Sequence, residues 1–236
     1  GLAKTNEEME QHLTSVKQTS LGSNWAAGDI MYEDLDGDGR ISAGGRTLKD
    51  HGDLSIIGNT TPRYLFGLEI NVAWKGFDFR TFFQGVAKRD AWTDWTEFYF
   101  GANGKGVWWV AGIREAHDYF RDDNTWSVQN GYQETNADAW LPRPQYSDKN
   151  IQVQTRYLMN AAYLRMKNLQ LGYTIPRTIT QRWKIDNLRV FFSADNIFTV
   201  TSLPKQFDPE IIGNGANRAN GYPLSRTFSF GLNITM

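Results

Sequence analysis

The sequence predicts an all-β, antiparallel fold in which each long strand carries one apolar and one polar face. Three observations lead there. From Pro62 onward, hydrophobic residues recur at every second position, the period of a strand whose successive side chains point to opposite faces. These period-two runs extend over about ten residues, whereas an average globular strand has about five or six. Aromatic residues make up 14% of the chain, although hydrophobic residues overall are only 40%; large rings on one face and polar groups on the other produce that combination.

Along the chain, residues 1–61 read as a helix followed by an Asp/Gly-rich loop region. Thr5 with Glu8 three residues on forms a capping box, and Met9, Leu13 and Val16 come next at helical spacing. Residues 62–87 read as a hairpin. Tyr64, Phe66, Leu68, Ile70, Val72 and Trp74 share one face, Lys75-Gly76 is a tight turn, and Phe77, Phe79, Thr81 and Phe83 continue the apolar side. Residues 88–150 lose the alternation and read as one long aromatic-rich loop, with room for a short helix near residues 107–120. In residues 151–236 period two returns three times, over 156–173, 187–200 and 227–236, with one long loop between the last two. The first of these runs slips in phase between Met166 and Leu169, the mark of a bulge.

Composition removes several classes of function. With 25 basic and 26 acidic side chains the net charge is −1, which argues against a dedicated nucleic-acid binder. No cysteine is present, so disulfides, thiolate metal sites and cysteine nucleophiles are excluded. The longest uncharged stretch, Gln18 to Gly28, is too short for a membrane helix of about 20 apolar residues, and no basic segment precedes an apolar core as in a signal peptide. His12, His51 and His117 lack any metal-ligand spacing, and neither a G-x-S-x-G motif nor a phosphate loop occurs. No catalytic residue is predicted, and the chain is not read as an enzyme.

Two segments carry possible binding chemistry. Asp34, Asp36 and Asp38, followed by Gly39, match the D-x-D-x-D-G opening of a calcium loop, with the backbone oxygen of Arg40 at position seven. The twelfth position, a bidentate Glu in an EF-hand, is Gly45, so this is not a complete EF-hand; a later carboxylate, Asp50 or Asp53, could complete the shell. The same residues also suit a tight Asp/Gly turn without metal; a bound Ca²⁺ would be structural. The second segment is the aromatic loop, where Trp92, Trp95, Tyr99, Trp108 and Trp109 could stack on a sugar ring or meet a partner, or simply form the loop's own core.

Alternation alone leaves two environments open. In a soluble sandwich the apolar face meets another sheet; in a membrane barrel it meets lipid while the polar face lines a wet lumen. At roughly 3.3 Å per residue and a 45° tilt, a strand of about ten residues spans an apolar band of about 25 Å. Aromatics near the strand ends, such as Tyr64, Trp74, Phe77 and Tyr173, suit an interfacial girdle.

The segment Tyr163-Leu164-Arg165-Met166-Lys167-Asn168-Leu169-Gln170-Leu171-Gly172-Tyr173-Thr174-Ile175-Pro176 resembles the YLRLKNLQLGYTLP stretch of SusC/RagA-type TonB-dependent outer-membrane receptors. Four more stretches match in the same order. They are Gly28-Asp29-Ile30 with the acidic loop, Ile57-Gly58-Asn59 before Pro62, Val190 to Phe198 ending Asp195-Asn196-Ile197-Phe198, and Phe207-Asp208-Pro209-Glu210 before Tyr222-Pro223 and the last strand. The resemblance implies the C-terminal antiparallel strands of a 22-stranded transmembrane β-barrel, with long extracellular loops containing short helices. It covers roughly the last quarter of the family pattern; the plug domain and most strands match nothing in this chain. Met236 departs from the aromatic residue common at the end of such barrels.

In function, the resemblance implies an importer of oligosaccharides, or of peptides, in the outer membrane of a Gram-negative, Bacteroidetes-like cell. A SusD-like surface lipoprotein would serve as lid, the TonB complex would act through the plug, and outer-membrane lipid would surround the strands. The alternative is a soluble, calcium-dependent, carbohydrate-binding β-sandwich, suggested by the acidic loop and the tryptophans.

Overall fold

A computed structural model describes residues 1–92, 118–145, 147–205, 207–212 and 223–236. The chain divides into two compact units that interleave in sequence: Gly1–Ile57 with Thr93–Tyr157, and Gly58–Trp92 with Leu158–Met236. Each unit is assembled from two stretches far apart in sequence.

The first unit holds helix α1 (Asn6–Ser15), whose entry is the capping arrangement read from the sequence. The Thr5 hydroxyl accepts from the Glu8 amide at 3.2 Å. The Glu8 carboxylate reaches back to the amide of Lys4 at 2.7 Å, one residue beyond the usual partner. Met9 is fully buried beneath the helix. Among its described residues, a four-residue helix at Trp126–Gln129 and a 3-10 turn at Thr155–Tyr157 interrupt loops joined by isolated bridges such as Leu2 with Ile30 and Lys17 with Arg40. Among its described residues, Ala27, Phe120 and Ala139 form an apolar cluster, with Leu2 against them.

The second unit is built on one antiparallel sheet. Strands β1 (Arg63–Trp74) and β2 (Phe77–Lys88) form the hairpin, followed by β3 (Asp90–Ala91), β4 (Met159–Asn160), β5 (Tyr163–Thr174), β6 (Asn187–Asp195), β7 (Thr199–Thr201) and β8 (Thr227–Thr235). The sheet order is β1-β2-β5-β6-β8, with β7 pairing the start of β5; β3 and β4 pair separately. Lys75 and Gly76 both have positive φ, +48° and +88°, the backbone of a type I′ turn matched to strand twist. Between Phe82↔Asn168 and Phe83↔Met166 the register skips Lys167, which is the bulge behind the phase slip in the sequence.

Two strand boundaries correct the sequence reading. The run over 156–173 becomes a strand only at Tyr163, after a single turn of 3-10 helix at Thr155–Tyr157 and the short β4. The run over 187–200 is two strands. Asn196 adopts φ +53°, a left-handed conformation that Asn tolerates better than most residues. Its amide then donates to Lys167 O at 3.1 Å while Met166 N donates to Phe198 O at 3.2 Å, which carries β7 onward along β5. The short helix read near residues 107–120 falls almost wholly outside the described residues, and Phe120 itself is not helical.

Register aligns the side chains into rows. Ile70, Thr81, Leu169, Ala194 and Phe228 stand side by side across five strands, as do Val72, Phe79, Leu171, Phe192 and Phe230, and Trp74, Phe77, Tyr173, Val190 and Leu232. Apart from Thr81 these rows are apolar or aromatic, yet Phe66 is 45%, Ile70 38% and Phe230 85% exposed. Among the described residues the only other ladder is the two-residue pairing of β3 with β4. No second sheet among them therefore covers the apolar face, and the sandwich alternative finds no support.

Candidate functional site

Two features of the sequence-predicted chemistry have defined geometry: the acidic loop of the first unit and the polar face of the sheet. In the loop, Gly37 and Gly39 have φ of +78° and +77°, so the chain doubles back and its amides turn inward. Asp34 accepts from Gly37 N and Gly39 N, each at 2.8 Å. Asp53 accepts from Leu35 N at 2.7 Å and Ser42 N at 2.6 Å. These bonds draw one carboxylate oxygen each of Asp34, Asp36 and Asp53 to within 4.8 Å of one another. Of the two later carboxylates, Asp53 is the one that converges with Asp34 and Asp36.

Asp38 and Arg40 stand outside this triad. The Asp38 carboxylate turns back to accept from the amide of Arg40 at 2.7 Å, and Asp50 takes no part in the cluster. The Gly39 amide, foremost, holds the Asp34 carboxyl below the ordinary range. Asp36 is drawn down by the Asp38 amide, but desolvation and the carboxylates of Asp38, Asp53 and Asp34 outweigh it and leave its pKa raised. Three converging acidic oxygens form a hard-donor set of the kind that suits a divalent cation with oxygen ligands.

The polar face of the sheet is laced by cross-strand pairs. Arg80 meets Glu69 at 2.7 Å, Arg189 Nε donates to Asp78 at 2.9 Å, and Asn168 donates to Asp195 at 2.8 Å. Asp78 and Arg189 sit on β2 and β6, with β5 between them. Their ion pair passes directly over Gly172, where a Cβ would lie 2.4 Å from both Arg189 Nη2 and Asp78 Oδ1. The glycine of the Leu171-Gly172-Tyr173 motif is therefore the space through which this pair closes.

A third arrangement escaped the sequence reading of charge. Asp29, fully buried, accepts from Arg143 at 2.9 and 2.7 Å, Gln145 at 2.8 Å and Asn150 at 2.9 Å. Lys149 Nζ lies 2.8 Å from the same carboxylate. That ammonium also donates to Ser23 O and Asn24 O and sits 4.6 Å over the Trp25 ring, so each of its protons has a partner. Desolvation alone would raise the Asp29 carboxyl, but the bonds from Arg143, Lys149 and Asn150 prevail and lower it. No local motif marks the partners, which lie more than a hundred residues away; the sole hint was Gly28-Asp29-Ile30 as a stretch of the family resemblance.

Of the aromatic candidates, Trp92 is half-buried beside β3; Trp95, Tyr99, Trp108 and Trp109 lie outside the described residues.

No family model matches the chain. Among curated proteins it is similar to TonB-dependent receptor P3 of Formosa agariphila, 29% identical over 225 residues, covering 91% of this chain and 20% of that protein. It is also similar to the TonB-dependent receptor SusC of Bacteroides thetaiotaomicron, 26% identical over 205 residues, covering 86% of the chain and 17% of SusC. Among solved structures, the RagAB peptide importer in its open-open state superposes with a TM-score of 0.56 at 28% identity, over 79% of this chain and 18% of the other. The closed-closed state gives 0.54 at 26% identity, over 85% and 20%. The chain spans about a fifth of the length of the curated relatives it matches. Sequence relatives and solved neighbours agree with the amphipathic sheet, and the chain is similar to one stretch of SusC/RagA-type TonB-dependent receptors.

Proposed function

We propose that this chain forms part of the wall and outer mouth of an outer-membrane importer. The apolar rows face lipid, the polar face lines a wet passage, and the cargo is an oligosaccharide or a peptide. The observation that carries this reading is the apolar face itself, continuous across five strands and uncovered by protein among the described residues. In water so large a patch is a liability; in a bilayer it is the surface that lipid requires.

Topology supports one orientation. Lys75-Gly76 and residues 175–186 are the close connections, and both lie at one end of the sheet, while the long connections 89–162 and 196–226 start from the other. Outer-membrane barrels keep short turns on the periplasmic side and long loops outside, so the long connections belong to the extracellular mouth. There they would meet a SusD-like lipoprotein lid, with Trp92, Trp95, Tyr99, Trp108 and Trp109 available for lid or cargo. Energy would come from TonB through the plug of the whole receptor. The solved neighbours, named as a peptide importer, weigh toward peptide as cargo, and SusC as relative leaves oligosaccharide beside it.

In the loop, Asp34, Asp36 and Asp53 would hold Ca²⁺ and fix residues 34–53; the supporting observation is the convergence of their oxygens. The test of the whole reading is partition of the full-length receptor: extraction from outer membranes only by detergent, with a folded form that migrates differently before and after boiling. A receptor that is released by buffer alone would sink it.

A further inference from the structure

The polar face is open over most of the sheet but covered at the mouth end. There Val86 is 5%, Tyr163 7% and Arg165 4% exposed. Arg165 pairs with Gln84 and Tyr163 with Val86, and in an antiparallel ladder paired residues point to the same side. These side chains therefore share the face of Asp78 and Arg80, the polar one. Over Arg165 lies the segment 207–212, whose Asp208 and Glu210 bond to its guanidinium.

Bonds tie that segment down along its length. Arg165 donates to Asp208 at 2.9 Å and Glu210 at 2.7 Å, and its Nε donates to the Thr199 hydroxyl at 2.7 Å. Lys167 reaches Glu210 at 3.0 Å. Arg89 donates to Pro209 O at 3.0 Å and Ile212 O at 2.7 Å. Within the segment, Asp208 accepts from Glu210 N at 2.9 Å and from Leu224 N at 3.1 Å. Ile212 and Leu203 close the attachment by packing with Ala91, Met159 and Ala161, and Phe207 lies against that cluster. Lys167 is the residue the register skips, so the bulge in β5 is what frees an additional cation to reach Glu210.

A charged cluster this deeply withdrawn from water is costly to assemble. A loop with no task inside the passage would have a cheaper resting place in solvent. We propose that residues 207–212 form a strap folded onto the polar face and clamped there by Arg165, Lys167 and Arg89, narrowing the passage at its mouth and helping to set which cargo enters. The inference rests on the reading of that face as a passage lining.

The chain has no cysteine, which makes reagent accessibility the direct test. In the full-length receptor, freed of other accessible cysteines and held in outer-membrane vesicles, Ser193→Cys places a thiol on the polar face beyond the strap. Phe230→Cys places one on the apolar face. Maleimide carrying a polyethylene glycol chain serves as the large probe, and an unsubstituted small maleimide as the other. Combining Ser193→Cys with Asp208→Asn and Glu210→Gln unclamps the strap. Expected is at least a roughly tenfold faster reaction with the large probe and little change with the small one, since breaking a buried ion pair shifts a local opening equilibrium at least that far.

Glu210→Gln alone, at a partly exposed site, gives a milder version should the double variant fail to fold, as judged by heat-modifiable mobility. Large-probe rates equal to the clamped receptor's in a folded variant would overturn the strap. Rapid labelling of Phe230→Cys by the small aqueous probe would instead overturn the lipid-facing assignment, so the two failures are told apart.

Discussion

Around Asp29 the protein buries charge, whereas across its sheet it exposes hydrocarbon. Both are departures from the ordinary globular rule, and they are compensated differently. In the first unit, segments over a hundred residues apart are joined by one carboxylate with two cations and two amides around it. In the second, backbone ladders hold the strands, and the apolar face lies uncovered among the described residues; the proposed lipid surroundings would supply its match. A polar core stabilises only when every member is satisfied; an apolar exterior is stable only where water is absent.

The largest effect that would test this contrast is loss of the Asp29 charge. Asp29→Asn strands Arg143 and Lys149, and should cost about 3–5 kcal/mol locally. Hydrogen exchange in the full-length receptor should show protection lost over residues 18–32 and retained in β5. The same network has an acid limit. Because the folded carboxyl is lowered from its ordinary value of 3.8, its contribution is complete above that pH and fades as pH falls through the folded value. An acid titration followed by exchange should show the step in the natural chain and lose it in Asp29→Asn.

Next in size is a charge on the apolar face. Leu169→Arg on central strand β5 should cost about 2–4 kcal/mol in bilayers, whereas Gln170→Arg, its neighbour on the opposite face, should stay within about 0.5 kcal/mol. Urea unfolding in lipid vesicles measures both, and equal costs would erase the distinction between faces. Calcium comes third. If the Asp34, Asp36 and Asp53 oxygens bind it, ion at about a hundredfold excess over Kd adds about 2.7 kcal/mol to the loop. Chelation should then speed proteolysis of residues 34–53, and Asp36→Asn should remove the response. Smallest is Thr5→Ala, which deletes the cap of α1 at a cost of about 1 kcal/mol and should leave the sheet's exchange rates untouched.

Much of the sheet was legible in the sequence because its signals are local. The turn at Lys75-Gly76, the face shared by Phe66, Ile70 and Phe79, and even the slip at Lys167 arise from period two and from the backbone freedom of single residues. The break at Asn196 was missed because alternation continues in composition while the backbone turns. In the acidic loop, Asp34 and Asp36 were readable from spacing, but Asp53 was one of two completions that the spacing allowed. Only the fold could choose it, through the bonds from Leu35 and Ser42.

By itself, then, the sequence determined that long amphipathic strands must form, because side-chain direction alternates with every residue whatever the surroundings. Its five ordered stretches also determined the family resemblance. Tertiary structure alone decided which distant groups meet: Asp29 with Arg143 and Lys149, Asp78 with Arg189 across Gly172, and Arg165 with Asp208 and Glu210. Such pairings depend on where the chain returns after dozens of residues. No short-range pattern encodes that return, since a charge carries no mark of its partner until the backbone brings the two together.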